Sequence, residues 1–254
     1  MLKTIKKMKN FLKQIRLVKK IGFSSFLQYI LAKQGAEIKV KILRKEIFVR
    51  KGTPDLSVAI SCFSGEFDII KYLFPKDYSG IIVDAGGYIG TSAIALRQIY
   101  PKAKIIVIEP SQHNFDILKK NLEGLSNIRV VYGALIGGSQ KTITLNNRGT
   151  SEWGYTIVSK PLDSPSAKPL HKTPTFRLRD LLDKREKIGL LKLDIEGGEF
   201  DLLKKDMKTL KGIPVVFAEL HDRIIIGCEE MYFKFSKNRI LIKDRGEKYL
   251  SIKR

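Results

Sequence analysis

Apolar side chains recur at three- and four-residue spacing between residues 4 and 31: Ile5, Met8, Leu12 and Ile15, then Phe23, Phe26, Leu27 and Ile30. Lys6, Lys7, Lys13, Lys19 and Lys20 fill the other positions, so the stretch predicts an amphipathic helix, which Gly22 divides in two. Residues 38–50 alternate apolar and basic side chains and predict one or two strands. From Gly52 to Phe67 the pattern is mixed, with turn signals at Thr53-Pro54-Asp55 and Ser64-Gly65; residues 67–74 predict a short helix ended by Pro75. From residue 80 the rhythm changes to strand, helix, strand, helix. Strands are predicted at 80–84, 104–109 and 128–136, with helices at 91–100 and 111–123, the second capped by Ser111. Residues 137–175, rich in Gly, Asn and Pro, interrupt the rhythm; strands at 141–145 and 154–159 fit there, and a loop of this length is expected to act in part as a lid over a binding site. Strands at 190–194 and 215–221 and helices at 199–210 and 229–238 follow, then a hairpin of 239–243 with 249–253. Such alternation predicts a doubly wound α/β fold with a mostly parallel sheet covered on both faces.

The 254 residues suit one α/β domain with an extension, placed at 46–254 and 1–45. The net charge of +21 points to an anionic partner: nucleic acid, an acidic membrane or a phosphorylated substrate. Residues 1–51 hold fifteen Lys and Arg against two acids, so most of the excess lies in the extension. Its helix is expected either to pack on the domain with a solvated basic face, or to lay residues 1–35 on an anionic membrane surface. Nucleic acid is the less favoured partner, since the charge is concentrated in the extension and no RNA-binding motif is visible. Cys62 and Cys228 have no metal-ligand spacing; as core thiols they fit a reducing, cytoplasmic setting. No run of 18 apolar residues predicts a membrane span, and the lysine-studded N-terminus does not read as a signal peptide.

Three motifs carry chemistry. The first is Val83-Asp84-Ala85-Gly86-Gly87-Tyr88-Ile89-Gly90, between the first core strand and its helix, where doubly wound sheets bind ligands. Glu109 ends the next strand, where a carboxylate suits a pair of ribose hydroxyls. A nicotinamide dinucleotide is the rival ligand, but Tyr88 occupies the place of the middle glycine in its fingerprint. Asp84, two residues before the first glycine, repels a pyrophosphate and suits an ammonium. S-adenosylmethionine carries an ammonium and a ribose and no phosphate; an ordinary tight turn is the remaining explanation. The second motif, Leu191-Lys192-Leu193-Asp194-Ile195-Glu196-Gly197-Gly198-Glu199, follows the fourth core strand. Helix capping accounts for Glu199 and partly for Glu196, but not for a charged Lys192 in an apolar strand. The third, Phe217-Ala218-Glu219-Leu220-His221-Asp222, ends a strand on the same edge and offers an imidazole suited to a general base.

Together VDAGGYIG, IEPSQHNFDILKKN, LKLDIEGGEFDLL and VVFAELH resemble, in order, the FkbM family of S-adenosylmethionine-dependent methyltransferases. The resemblance runs from about Phe48 to His221. Residues 50–67 resemble the family's lead-in to the core, and on that ground Glu66 joins the cofactor-binding candidates Asp84, Gly86, Gly87, Tyr88, Gly90 and Glu109. This chain has Tyr88 where the family commonly has Asn, and Gly87 where it often has Ala, which alters contacts at the methionine end. The resemblance implies a Rossmann-like, seven-stranded, mostly parallel sheet of the class I methyltransferase type. It also implies O-methylation, often of a sugar or polyketide hydroxyl. A sugar or glycan, as in polysaccharide biosynthesis, is the expected acceptor. Asp194, Glu196 and His221 are expected to face it, with His221 the preferred base; His221→Ala is expected to lower turnover about a hundredfold. No metal ligand set is assigned, although magnesium or manganese would suit Asp194 and Glu196 if they bind a divalent ion. The alternatives are an RNA methyltransferase, suggested by the charge, and a membrane-associated protein with a vestigial cofactor site, against which the intact acids at 84, 109, 194, 196 and 219 stand.

Overall fold

The computed structural model describes residues 2–254, with side chains from residue 14 onward. It divides into two compact units, one ending at Glu66 and the other spanning Phe67–Arg254. That boundary falls well beyond residue 45 because a hairpin straddles the earlier position.

In the N-terminal unit, α1 (Leu2–Leu31) is kinked at Gly22, whose φ of 76° and ψ of 160° leave the helical region as its lack of a Cβ permits. Strands β1 (Glu37–Ile42) and β2 (Lys45–Arg50) pair antiparallel. The helix packs on this hairpin through buried Ile21 and Ser25, and the Ser25 hydroxyl accepts from the Lys41 amide at 2.9 Å. The opposite face leaves Phe23, Leu27 and Ile30 exposed. Residues 52–67, where the sequence predicts no regular element, contain α2 (Asp55–Phe63). Its first residue is fixed by a buried ion pair, Arg50 Nε to Asp55 Oδ2 at 2.8 Å, and Leu56, Ala59 and Cys62 line its buried side.

The C-terminal unit starts with a single 3-10 turn at Asp68–Ile70 in place of the helix expected over 67–74. Then follow β3 (Ile81–Ala85), α3 (Thr91–Ile99), β4 (Lys104–Glu109), α4 (Gln112–Leu122), β5 (Ile128–Tyr132), β6 (Ala134–Leu135), β7 (Thr142–Asn147), β8 (Tyr155–Thr156) and β9 (Lys168–Phe176). The chain returns through β10 (Ile188–Leu193), α5 (Gly198–Lys205), α6 (Met207–Lys211), β11 (Val215–Glu219) and α7 (Cys228–Ser236), and ends in the antiparallel pair β12 (Arg239–Lys243) and β13 (Lys248–Lys253).

Seven strands form the main sheet in the order β12-β13-β11-β10-β3-β4-β5, parallel from β11 to β5. The continuous apolar run of β3 is buried throughout, as a strand covered on both faces requires. The chain order reverses between β3 and β10, and the crevice beyond their carboxyl ends is where open α/β sheets bind ligands.

The strand expected over 128–136 is two strands. At Gly133 an added Cβ would lie 2.7 Å from the Pro174 carbonyl oxygen, and past it β6 leaves the main sheet to pair with β9. The segment 137–175 holds most of a second sheet, ordered β6-β9-β7-β8. Helix 199–210 is broken at Asp206 into α5 and α6. Cys62 and Cys228 are buried and unpaired, and burial pushes the Cys228 thiol up to about 12. Among the described residues, no helix is long and apolar enough to cross a membrane.

Candidate active site

The loop after β3 turns tightly, with positive φ at Gly86 (83°), Tyr88 (50°) and Gly90 (88°). Gly86 is obligatory on two counts: its φ disfavours a side chain, and a Cβ there would stand 1.7 Å from the Asp194 carbonyl oxygen. Gly87 packs against Val107 and Leu118, and Gly90 caps α3. The amide of Tyr88 donates to Glu109 Oε2 at 2.8 Å. Glu109 Oε1 accepts from the Ser111 amide (3.0 Å) and from Asn114 Nδ2 (3.2 Å). Sequence places Glu109 far from the glycines; the register of β3 beside β4 brings it to their loop. Burial pushes its carboxyl up to about 7, against the pull of these donors.

Asp84, the residue expected to meet a ligand ammonium, is fully buried. Its register partner on β10 is Lys192, whose Nζ lies 3.2 Å from Asp84 Oδ1, while Ser92 donates to Oδ2 at 2.5 Å. The charge of Asp84 is therefore met within the protein. Lys192 Nζ also donates to the Gly86 carbonyl at 2.7 Å and lies 3.5 Å from Asp194 Oδ2. The lysine that strand burial leaves unexplained is thus the tie between the first and second motifs.

The loop after β10 carries the acids. The Asp194 amide donates to the Ala85 carbonyl at 3.1 Å, so the two strand-end loops touch backbone to backbone. Asp194 keeps 31% of its side chain exposed. Its partial burial opposes ionisation, but Lys192 and His221 outweigh that and hold the carboxyl below the usual range. Glu196 adopts a positive φ of 51°, a strained conformation for a residue with a side chain. Its Oε2 receives Arg148 at 2.5 Å and Arg223 at 3.5 Å, and its carbonyl accepts from Thr156 Oγ1 at 2.5 Å. Burial pushes the Glu196 carboxyl up to about 7.

His221 is fully buried, with Nδ1 3.1 Å from Glu199 Oε1 and Nε2 3.6 Å from Glu196 Oε1 and 3.8 Å from Asp194 Oδ1. Burial alone would lower its pKa, but the three carboxylates raise it to about 10. The carboxylates therefore favour the charged imidazole, the opposite of the neutral form in which a histidine acts as a general base. Glu199 is more than a helix cap: its oxygens accept from the Ile195 amide (2.6 Å) and the Gly197 amide (2.8 Å) while it grips His221.

Arg148, Asp163 and Arg223 were not legible as site residues. Arg148 sits in the irregular segment after β7, bonds to both Asp163 and Glu196, and has a side chain 2% exposed. Its only signal in the sequence is a charge among Asn and Gly residues. Glu66, by contrast, belongs to the N-terminal unit and stays an expectation from sequence.

A glycine loop at a topological switch point, a ribose-type acid at the next strand and an acidic floor in place of a phosphate cradle define an α/β enzyme that takes a nucleoside cofactor without phosphate. The Methyltransferase FkbM domain matches residues 84–248, and the chain belongs to this family of S-adenosylmethionine-dependent methyltransferases. It is 26% identical over 249 residues to Methyltransferase 1 of Beauveria bassiana, covering 91% of this chain and 89% of that one. It is 28% identical over 195 residues to Methyltransferase sdnD of Sordaria araneosa, covering 65% and 72%. Among solved structures it resembles the N-terminal domain of human METTL16 in complex with SAH, with 14% identity, coverage of 81% and 74%, and a TM-score of 0.44.

Proposed function

We propose that this methyltransferase acts on a hydroxyl of a sugar or glycan. The observation that carries the reading is the acidic acceptor side. Asp194, the most open carboxylate of the cluster, adjoins the glycine loop, with Glu196 behind it. Carboxylates accept hydrogen bonds from hydroxyls and repel phosphodiesters, which weighs against RNA.

S-adenosylmethionine supplies a sulfonium methyl already reactive toward an oxygen nucleophile. The residues of this chain have then to align the acceptor and take its proton. Glu109 holds the ribose. The Gly86 loop, braced by Lys192 and Asp84, receives the methionine portion. A carboxylate of the Asp194–Glu196 pair takes the proton. The segment 137–175 serves as the acceptor-side cover, fastened to Glu196 through Arg148 and Thr156.

Isothermal titration with S-adenosylhomocysteine, with NAD as control, is expected to give micromolar binding that Glu109→Ala weakens. Transfer of labelled methyl groups to oligosaccharides but not to bulk RNA would support the acceptor class. The reverse result would assign the enzyme to RNA.

The exposed stripe of Phe23, Leu27 and Ile30, on a helix whose other face is already packed, favours a second feature: peripheral attachment of residues 1–35 to an anionic membrane on its cytoplasmic side.

A further inference from the structure

Asp194, Glu196 and His221 each offer one ligand atom, and these atoms all lie within 4.8 Å of one another. An acidic cluster alone does not make a metal site. Here a second observation points to an occupant: His221 Nε2, on a fully buried side chain, has no hydrogen-bond partner among the described residues and faces the two carboxylates at 3.6 and 3.8 Å. Ligands of one small divalent ion stand about 3 Å apart at bond lengths near 2.1 Å, so a modest contraction closes the set.

The surroundings are those a metal-bound imidazole requires. Glu199 takes the Nδ1 side of His221 at 3.1 Å, so Nδ1 keeps its proton and Nε2, which faces the carboxylates, is the nitrogen that releases a proton when a metal ion binds. Glu199 is itself held by two backbone amides, so the ring cannot swing away. Arg148 and Arg223 occupy Glu196 Oε2 and leave Oε1 toward the ring. Asp194 is a third exposed, so the set opens to solvent on one side.

We propose that Asp194, Glu196 and His221 bind one divalent transition-metal ion, with Glu199 as the positioning carboxylate behind the imidazole. Two carboxylates and one imidazole with open positions suit Mn²⁺ better than Mg²⁺, which favours all-oxygen sites. An acceptor hydroxyl entering an open position would lose its proton more readily; that role, unlike the binding itself, rests on the acceptor reading above. A second set, Glu219, His221 and Glu247, shares the spacing, but Glu219 pairs with Lys248 at 3.5 Å and Glu247 with Arg223 at 3.3 Å.

The test is titration of the full chain with Mn²⁺ alone, followed by loss of the free-ion electron paramagnetic resonance signal. One saturable site is expected, weakened about ten-fold or more by Asp194→Asn and unchanged by Glu219→Gln. Asp194→Asn is isosteric at a partly exposed position, and circular dichroism verifies its fold. Nitrogen hyperfine coupling on the bound ion is expected from His221. Absence of saturable binding, absence of nitrogen coupling, or loss in Glu219→Gln in place of Asp194→Asn would each overturn the assignment. A parallel titration with S-adenosylhomocysteine keeps the two readings apart: cofactor binding without Mn²⁺ binding sinks only the metal site, and the converse sinks only the cofactor assignment.

Discussion

Lys192 ties two strand-end loops together from inside a buried sheet. In a strand buried on both faces an ammonium is tolerated only beside charge of opposite sign, and the parallel register with β3 supplies Asp84. Removing one member of a buried pair strands the other. Lys192→Met is therefore expected to cost about 3 kcal/mol in urea unfolding, and the double variant with Asp84→Asn to cost less than the sum of the singles. Glu109 gives a second prediction at this scale. With its pKa raised to about 7, the carboxyl carries a proton below neutrality and offers a ribose fewer acceptor sites; above neutrality both oxygens accept. S-adenosylhomocysteine should thus bind more tightly as pH rises from 6 to 8, by about ten-fold. Glu109→Gln should flatten that profile, and a flat profile in the unaltered protein would separate Glu109 from the ribose.

At the level of elements, the second sheet is fastened onto the loop after β10. Arg148 reaches Glu196, and an added Cβ at Gly197 would meet Val158 at 3.0 Å. If this cover serves the acceptor, Arg148→Ala should lower turnover at least ten-fold while cofactor affinity changes less than two-fold, and should speed limited proteolysis between residues 148 and 165. The order of the core strands, the end of β4 at Glu109 and the terminal hairpin were legible because apolar runs bounded by Gly and Pro leave few alternatives. β9 was not: Pro169 and Pro174 lie inside it and each withholds an amide, which normally argues against a strand. α2 was hidden between turn signals, since the pair that secures its start, Arg50 with Asp55, leaves no periodic trace. The site was half legible. The acids and His221 lie on strand ends that the pattern locates. Which of them pair is set by register and by an insertion, which put Asp84 against Lys192 and His221 against Glu199.

Over the whole molecule, the net charge of +21 is asymmetric, and the basic N-terminal helix also bears an apolar stripe opposite its packed face. Both contributions are needed for surface attachment: apolar burial for depth, charge for selectivity. Co-sedimentation with anionic vesicles is expected to fall steeply as salt rises from about 0.05 to 0.5 M, where the Debye length shrinks several-fold. Phe23→Ser with Leu27→Ser should abolish it without altering thermal stability, because both side chains are exposed. Binding indifferent to both changes would remove the membrane from the account. Within the catalytic unit, the contact of Gly86 with the Asp194 carbonyl has a kinetic meaning. If the glycine loop receives the first substrate and the loop after β10 the second, the backbone hydrogen bond from the Asp194 amide to the Ala85 carbonyl transmits displacement of one to the other directly. The two substrates are then expected to enter in a fixed order, and accumulating S-adenosylhomocysteine to inhibit competitively with respect to S-adenosylmethionine but not with respect to the acceptor.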